Sequence, residues 1–453
     1  MIDSILFWNQ VALDAAKTDF SFPDIPNLPD DQKPQQPGPT YASRALAIVH
    51  LAMHDAYMGI KGTGPGKKTY LDYLPNTPGT TDLQAAQAAV AAAACVTLIA
   101  VFSRQKNTFL AKHGEFMVML NDDDPKISKG LAWGHLVAEK ILNDRKNDGA
   151  DASDDFYAPS VEPYRHRTDP LTPKQAFLGP LWGNVKPFGF NNLKTSITQL
   201  PDPVPLPEYT ADFNEVLVKG VNQGGTRTLG ETRIGLFWAY DGVRNIGVPP
   251  RLYNQVIRAI VAKKGNVTEK ENAKLFAMVN VAMADAGIQA WHEKYKHNLW
   301  RPVVGIREAD AGWGPTGKGD NQAGTHGDPY WQPLGAPRTN SSGAPSFTPN
   351  FPAYPSGHAT FGTAALRIAQ KALGNLPGNF AFQFVSDELN GENIGATGVR
   401  PKYVADLTID SAVEENILSR VYLGVHWKFD GLKGEDIGKE IANGIFANFP
   451  AKA

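Results

Sequence analysis

Three short segments in the last third of the chain carry residue types and spacings suited to binding an oxyanion. In WHEKYKHNLWRP (291–302), Lys294 and Arg301 are seven residues apart, two helical turns. That spacing predicts both charges along one helix face, with Pro302 ending the helix. Stacked like charges repel unless an anion neutralises them; the plainer alternative is a solvated basic face, to which Lys296 and His297 add charge. In FPAYPSGHAT (351–360), Pro355-Ser356-Gly357-His358 reads as the head of a helix. Pro355 suits an early or pre-helical position, Ser356 caps or donates, and Gly357 admits a ligand close to the backbone. His358 titrates near neutrality. The alternative is an ordinary cap with a surface histidine.

The third segment, SRVYLGVHWKFD (419–430), sets His426 and Asp430 at i,i+4, where the carboxylate can orient the imidazole and raise its basicity. Arg420 lies six residues before His426, about 120° away on a straight helix. Both face one ligand if the helix starts or bends near Gly424, or if the ligand spans the corner; alone, the segment also fits a structural His–Asp pair. Together the segments form a coherent chemical set. Lys294, Arg301 and Arg420 supply three positive charges for a tetrahedral or trigonal-bipyramidal oxyanion. Ser356 and the Gly357 backbone add neutral donors at a helix N-terminus. His426 is a nucleophile or metal ligand, and His358 an acid–base group on the opposite side.

Helices must position these groups. Apolar periodicity predicts them over 3–17, 40–60, 82–104, 106–120, 127–146, 209–223, 229–240, 248–263, 268–298, 356–373, 411–427 and 434–447, with no convincing alternating strand and no repeat. Two long irregular segments, 150–208 and 307–355, interrupt them. The first divides an N-terminal helical scaffold, 1–205, from a C-terminal bundle, 206–453, that carries the site. Of 453 residues, 42% are hydrophobic and 20% charged, as in a soluble globular protein, and the formal net charge of −2 gives no basic excess for nucleic acid. The apolar run 83–102 is Ala-rich, which favours a buried helix over a membrane span. Cys95 is the single cysteine, so no intrachain disulfide forms. The N-terminus lacks a basic region and does not read as a secretory signal.

The pattern Lys-x6-Arg-Pro, Pro-Ser-Gly-His and Ser-Arg-x5-His-x3-Asp resembles the three-part signature of the vanadium haloperoxidase and acid phosphatase superfamily. ILFWNQVALDAA, ASRALAIVHLAMHDAY (42–57), FWAYDG (237–242), WQPLGAP (331–337) and FPAYPSGHATFG (351–362) resemble the fungal and bacterial vanadium chloroperoxidases, across most of the chain. The fungal type is longer, so some loops or termini are trimmed here. The resemblance implies an all-α fold of two four-helix bundles related by a pseudo-twofold axis, with long irregular loops. It implies a vanadate cofactor, with hydrogen peroxide and a halide ion as substrates and a small organic molecule as acceptor. By the same resemblance, Lys294, Arg301, Ser356, Gly357 and Arg420 hold vanadate oxygens, His426 bonds vanadium, and His358 assists peroxide binding. Asp241 matches the carboxylate that pairs with Arg420. Trp291 and Phe351 match aromatics near the chloride site, favouring a chloroperoxidase over a bromoperoxidase.

The rival reading is a soluble acid phosphatase on the same scaffold, with His426 forming a phosphohistidine and His358 as the leaving-group acid. A further alternative is a non-catalytic helical binding protein with a decayed site, which the intact set of residues disfavours. His50 and His54 have zinc-ligand spacing in HLAMHDA, but without a third ligand motif a packed structural role is expected. His326 reads as a loop histidine near the entrance.

Overall fold

The computed structural model describes residues 2–22, 29–62, 68–72, 80–120, 125–151, 157–191, 193–197, 200–202, 207–341 and 345–452. Five helices precede the first long irregular segment: α1 (Ser4–Thr18), α2 (Gly38–Lys61), α3 (Leu83–Val101), α4 (Lys106–Leu120) and α5 (Pro125–Asp144). A short α6 (Leu193–Ser196) lies within that segment. After it come α7 (Tyr209–Lys219), α8 (Leu229–Phe237), α9 (Pro249–Lys264), α10 (Glu269–His297), α11 (Pro302–Gly305), α12 (Gly357–Ala372), α13 (Ile409–Tyr422) and α14 (Lys428–Asn448). The all-α expectation holds, and each predicted helix has its counterpart. The boundary expected between 205 and 206 lies outside the described residues.

In the N-terminal part, α3 packs on α2 and α5. Its alanines leave room for close approach. A Cβ at Gly130 or Gly134 of α5 would run into the backbone carbonyls of Ala85 and Ala89. α3 is long and apolar enough to cross a membrane, yet 78% of its apolar window is buried inside the fold, as the Ala-rich run predicts. α10 joins the two parts, packing on α2 along one side and on α12 and α14 along the other. A Thr268–Glu271 capping box starts α10, and Asn298 in the left-handed conformation ends it.

His50 and His54 do structural work on α2. His50 meets the Leu46 carbonyl at 2.7 Å and Asn9 at 2.9 Å, within a buried chain of amides that continues through Asn254 and Asn280. Burial pushes its pKa down to about 4. His54 pairs with Asp55 at 2.8 Å, and Asp55 accepts from the Tyr70 and Leu71 amides, pinning the chain beyond α2.

One expectation is corrected. Strands do occur: β1 (Ala381–Phe384) pairs antiparallel with β4 (Ala405–Thr408), and β2 (Ile394–Gly395) with β3 (Gly398–Val399). At two to four residues, these runs are too short for alternation to stand out in a sequence. The turn they frame packs behind the 237–242 segment. Ser386 Oγ donates to the Phe237 carbonyl at 2.6 Å, and the Asp387 amide donates to the Tyr240 hydroxyl at 2.7 Å.

Candidate active site

Lys294 and Arg301 do not share a helix face, contrary to their spacing. α10 ends at His297, and Arg301 stands beyond it as the residue capping α11. A reversal of the chain at Asn298, not helical periodicity, brings the two charges together. Lys296 and His297 turn away to Glu293, at 3.3 and 3.0 Å.

The Arg420–His426 question resolves as a bend. α13 stops at Tyr422, and Gly424 has φ +69°, where a Cβ would meet the Gly220 carbonyl oxygen at 2.6 Å. Only glycine fits that combination of handedness and close approach. The 331–335 segment braces this joint: the Leu334 amide donates to the Gly220 carbonyl, and the Gly335 amide to that of Leu423. His426 therefore sits between helices, and Asp430 is in the first turn of α14. His426 Nδ1 lies 2.8 Å from Asp430 Oδ2, which also accepts the Trp427 amide at 3.1 Å. Donation from Nδ1–H to the carboxylate leaves the Nε2 lone pair to accept from Arg301 Nη1 at 2.9 Å. Burial, then Arg301 and Lys294, holds the His426 pKa well below the ordinary value, so the ring is neutral. Burial pushes the Asp430 carboxyl up, against the pull of Lys294 and Arg301.

Pro355-Ser356-Gly357-His358 does begin a helix. Ser356 is the N-cap of α12, accepting from the Ala359 amide at 3.5 Å, and its own amide donates to the Asp430 carbonyl at 2.8 Å. His358 is buried rather than a surface residue. Its Nε2 lies 2.6 Å from the Ala239 carbonyl, which fixes the proton on that nitrogen. Nδ1, with no hydrogen-bond partner among the described residues, keeps a lone pair. Burial and then Arg420 hold the His358 pKa well below the usual range.

Arg420 is clamped by Asp241 through Nη1 and Nη2, at 3.1 and 2.8 Å, the fork geometry that favours a lasting ion pair. Burial raises the Asp241 carboxyl above its ordinary value despite the guanidinium. Asp241→Asn is expected to cost about 2 kcal/mol, in the range for hydrogen bonds to charged groups. Part of the deficit should return in inorganic phosphate, which replaces the counter-charge. Urea midpoints with and without phosphate measure both effects.

Lys294 is engaged by the backbone beside the site. Its Nζ donates to the carbonyls of Pro352, Ala353 and Pro355, at 2.9, 3.0 and 2.5 Å. Burial, then Arg301, pushes its pKa well down, yet three carbonyl acceptors call for three N–H groups, the ammonium form. With these hydrogens engaged, Lys294 contributes charge and holds the 352–355 loop. Arg301 Nε holds the same loop through the Phe351 carbonyl at 2.8 Å. No side-chain pattern announces these carbonyls or that of Ala239, so sequence reading missed them.

The fit to an oxyanion is tested by what remains unpaired. Arg301 Nη2 and Arg420 Nε are buried donors without a partner among the described residues. Leaving such donors unsatisfied is costly, and an anion with several oxygens satisfies them. The free amides at the start of α12 and the His426 lone pair complete a set suited to an oxyanion with an electrophilic centre. His358, Arg420, His426, Asp241 and Gly357 line one cavity of about 270 Å³, along with Trp291 and Phe351, whose ring centroids are 4.8 Å apart. Lys294 Nζ lies 5.5 and 5.1 Å from those rings. His326 is exposed and does not line it.

Residues 2–181 match the family described as the vanadium chloroperoxidase N-terminal domain, and residues 274–451 that described as the VCPO second helical-bundle domain. The vanadium chloroperoxidase of Curvularia inaequalis is 32% identical over 517 aligned positions, spanning 96% of this chain and 80% of that protein. A bacterial vanadium-dependent iodoperoxidase superimposes with a TM-score of 0.71 at 19% identity, over 97% of this chain and 95% of that one. A holo-type bacterial vanadium-dependent chloroperoxidase gives 0.65 at 17% identity, over 90% and 92%. These last two establish likeness of fold. Each of these relatives is a haloperoxidase, so the acid phosphatase reading is not favoured.

Proposed function

The chain belongs to the vanadium-dependent haloperoxidase family, and from that premise we propose that it oxidises chloride as well as bromide, at a vanadate held by Arg301, Ser356, Gly357, Arg420 and His426. The observation that carries this reading is the pair of unpartnered buried donors, Arg301 Nη2 and Arg420 Nε, beside the neutral His426 ring. When bound, vanadate supplies an electrophilic centre that activates hydrogen peroxide for attack by halide.

The protein's own groups do the rest. His426 Nε2 would bond vanadium in place of accepting from Arg301 Nη1, and Asp430 keeps its lone pair pointed inward by accepting from Nδ1. Arg301, Arg420, the Ser356 hydroxyl and the Gly357 amide donate to the oxygens. Lys294 lowers the energy of the anion by charge and fixes the loop that carries Phe351. His358 accepts a proton from hydrogen peroxide at Nδ1 and returns it to the departing oxygen. Asp241 keeps Arg420 from reorienting when the site changes charge.

The preference for chloride competence rests on Trp291 and Phe351. An apolar wall strips water from the halide, which raises its reactivity most where hydration is strongest, as for chloride. Phe351→His is expected to lower the chloride-to-bromide rate ratio about tenfold, the worth of roughly one good apolar contact. The direct test is peroxide-dependent oxidation of chloride, bromide and iodide, with and without orthovanadate, from acidic to neutral pH. Failure on all three halides overturns the assignment; activity on bromide and iodide alone overturns the chloride part.

A further inference from the structure

We propose that Tyr240 is a positioning residue for both proton transfer and oxyanion binding. Its left-handed backbone, locked through its hydroxyl, aims the Ala239 carbonyl at His358 and the Asp241 carboxylate at Arg420. This inference rests on the haloperoxidase reading above and adds a residue that stands behind the cavity wall.

The first observation is a strained backbone. Tyr240 is fully buried and has φ +43°. Bulky side chains are rare there, because Cβ crowds the backbone carbonyl. Among the described residues, the other non-glycines with positive φ are Tyr164 and six asparagines, a residue type that tolerates it. Strain of this kind persists where the surroundings over-determine it, and it gathers at functional sites. The two chain neighbours of Tyr240 both carry contacts of the site. The Ala239 carbonyl meets His358 Nε2 at 2.6 Å, and Asp241 clamps Arg420 at 2.8 and 3.1 Å. In extended backbone the carbonyls point sideways and the side chains point up and down. The left-handed turn at Tyr240 instead sends this carbonyl and this carboxylate to one place. His358 Nε2 lies 4.0 Å from Asp241 Oδ1 and 3.3 Å from Arg420 Nη1.

The second observation is the lock. Three hydrogen bonds close a ring at the Tyr240 hydroxyl. The Asp387 amide donates to it at 2.7 Å, it donates to Gln255 Oε1 at 2.9 Å, and Gln255 Nε2 donates to Asp387 Oδ2 at 3.4 Å. Arg251 anchors the ring. Its Nη1 meets Asp387 Oδ2 at 2.6 Å and the Ile246 carbonyl at 3.0 Å, and its Nε meets the Leu13 carbonyl at 2.9 Å. The geometry at His358 and Arg420 is thereby tied to α1, to α9 and to the 386–388 turn. Without the hydroxyl, the Asp387 amide and Gln255 Oε1 lose this partner, and nothing in the ring holds Tyr240 against relaxing to an ordinary φ.

The test uses the vanadate-loaded full-length protein. Tyr240→Phe removes the hydroxyl and keeps the ring. Nitrogen-15 NMR of histidine-labelled protein reads the His358 tautomer, its signals assigned by their loss in His358→Ala. The wild type should show the Nε2–H form, and Tyr240→Phe a mixture of both forms. Turnover with bromide should fall about tenfold, inside the roughly 10²-fold that misplacing a reacting group costs. The KM for bromide should stay within about twofold. In a cycle with Asp241→Asn, the two losses in kcat should fall short of multiplying by about threefold or more, because both act on one clamp. Tyr70→Phe is the matched control. It deletes another buried tyrosine hydroxyl, bonded to the Phe188 carbonyl at 2.8 Å beside α2, and should move none of these readouts. Gln255→Leu opens the ring without touching Tyr240. It should shift the tautomer in the same direction, and it decides the matter if Tyr240→Phe does not fold. Wild-type kcat in Tyr240→Phe, or a like change in Tyr70→Phe, overturns the proposal. A wild-type tautomer in the folded variants overturns the His358 half, and losses that multiply in the cycle overturn the Asp241 half. If the wild type itself oxidises no halide, the haloperoxidase reading is lost, while the tautomer still decides whether Tyr240 positions His358.

Discussion

His426→Ala is expected to abolish halide oxidation, with a loss well beyond the roughly 10–100-fold seen when only an outer partner of a metal ligand is removed. The reason is local. His426 is the neutral ring whose Nε2 faces Arg301 while its Nδ1 is held by the Asp430 carboxylate. The neighbouring guanidiniums are donors only and cannot replace it. The readouts are peroxide-dependent bromide oxidation at saturating orthovanadate and the rise in thermal midpoint that orthovanadate produces. Both should vanish. Wild-type activity in the variant would sink the assignment. Asp430→Asn serves as the milder companion: its amide oxygen still accepts from Nδ1, so vanadate affinity should fall only within about 10–100-fold.

His358→Ala is expected to cut turnover by about 10²–10⁴, the usual contribution of a positioned acid–base group, while leaving vanadate binding close to wild type. His358 Nδ1 is free because Nε2 is committed to the Ala239 carbonyl. The pH dependence has a definite sign. Burial and Arg420 lower the ring's pKa well below 6.5, so the basic form persists as the solution is acidified through the ordinary histidine range. Activity that depends on this base is present above the folded-state pKa and fades as pH falls through it. That acidic limb should be missing from the variant's profile. A limb that persists unchanged would assign it to another group.

Much of the candidate site was legible because its chemistry is written in side-chain types. A lysine and an arginine seven residues apart, a Pro-Ser-Gly-His helix head and a His-x3-Asp pair each have few uses, and together they have fewer. Helices were legible because burial of one face repeats every 3.6 residues over long runs, as in α5, where Ile127, Gly130, Trp133, Gly134, Val137, Ala138 and Ile141 are buried. The short β1–β4 pair was not, since four residues hold too few alternations.

What the sequence by itself determined was therefore the inventory: an all-α chain and the side chains of a candidate oxyanion-binding set. What only the tertiary structure decided was how those residues meet. Lys294 and Arg301 looked like neighbours on one face, but the left-handed Asn298 lies between them and Arg301 caps another helix. Arg420 and His426 looked misaligned on a single helix, but Gly424 breaks it and turns one toward the other. The engagement of Lys294 by three carbonyls, and the two guanidinium donors left open, depend on backbone positions that no side-chain pattern encodes. Residue type sets what a group can do; chain reversals, which depend on a few left-handed residues and on long-range packing, set which groups do it together.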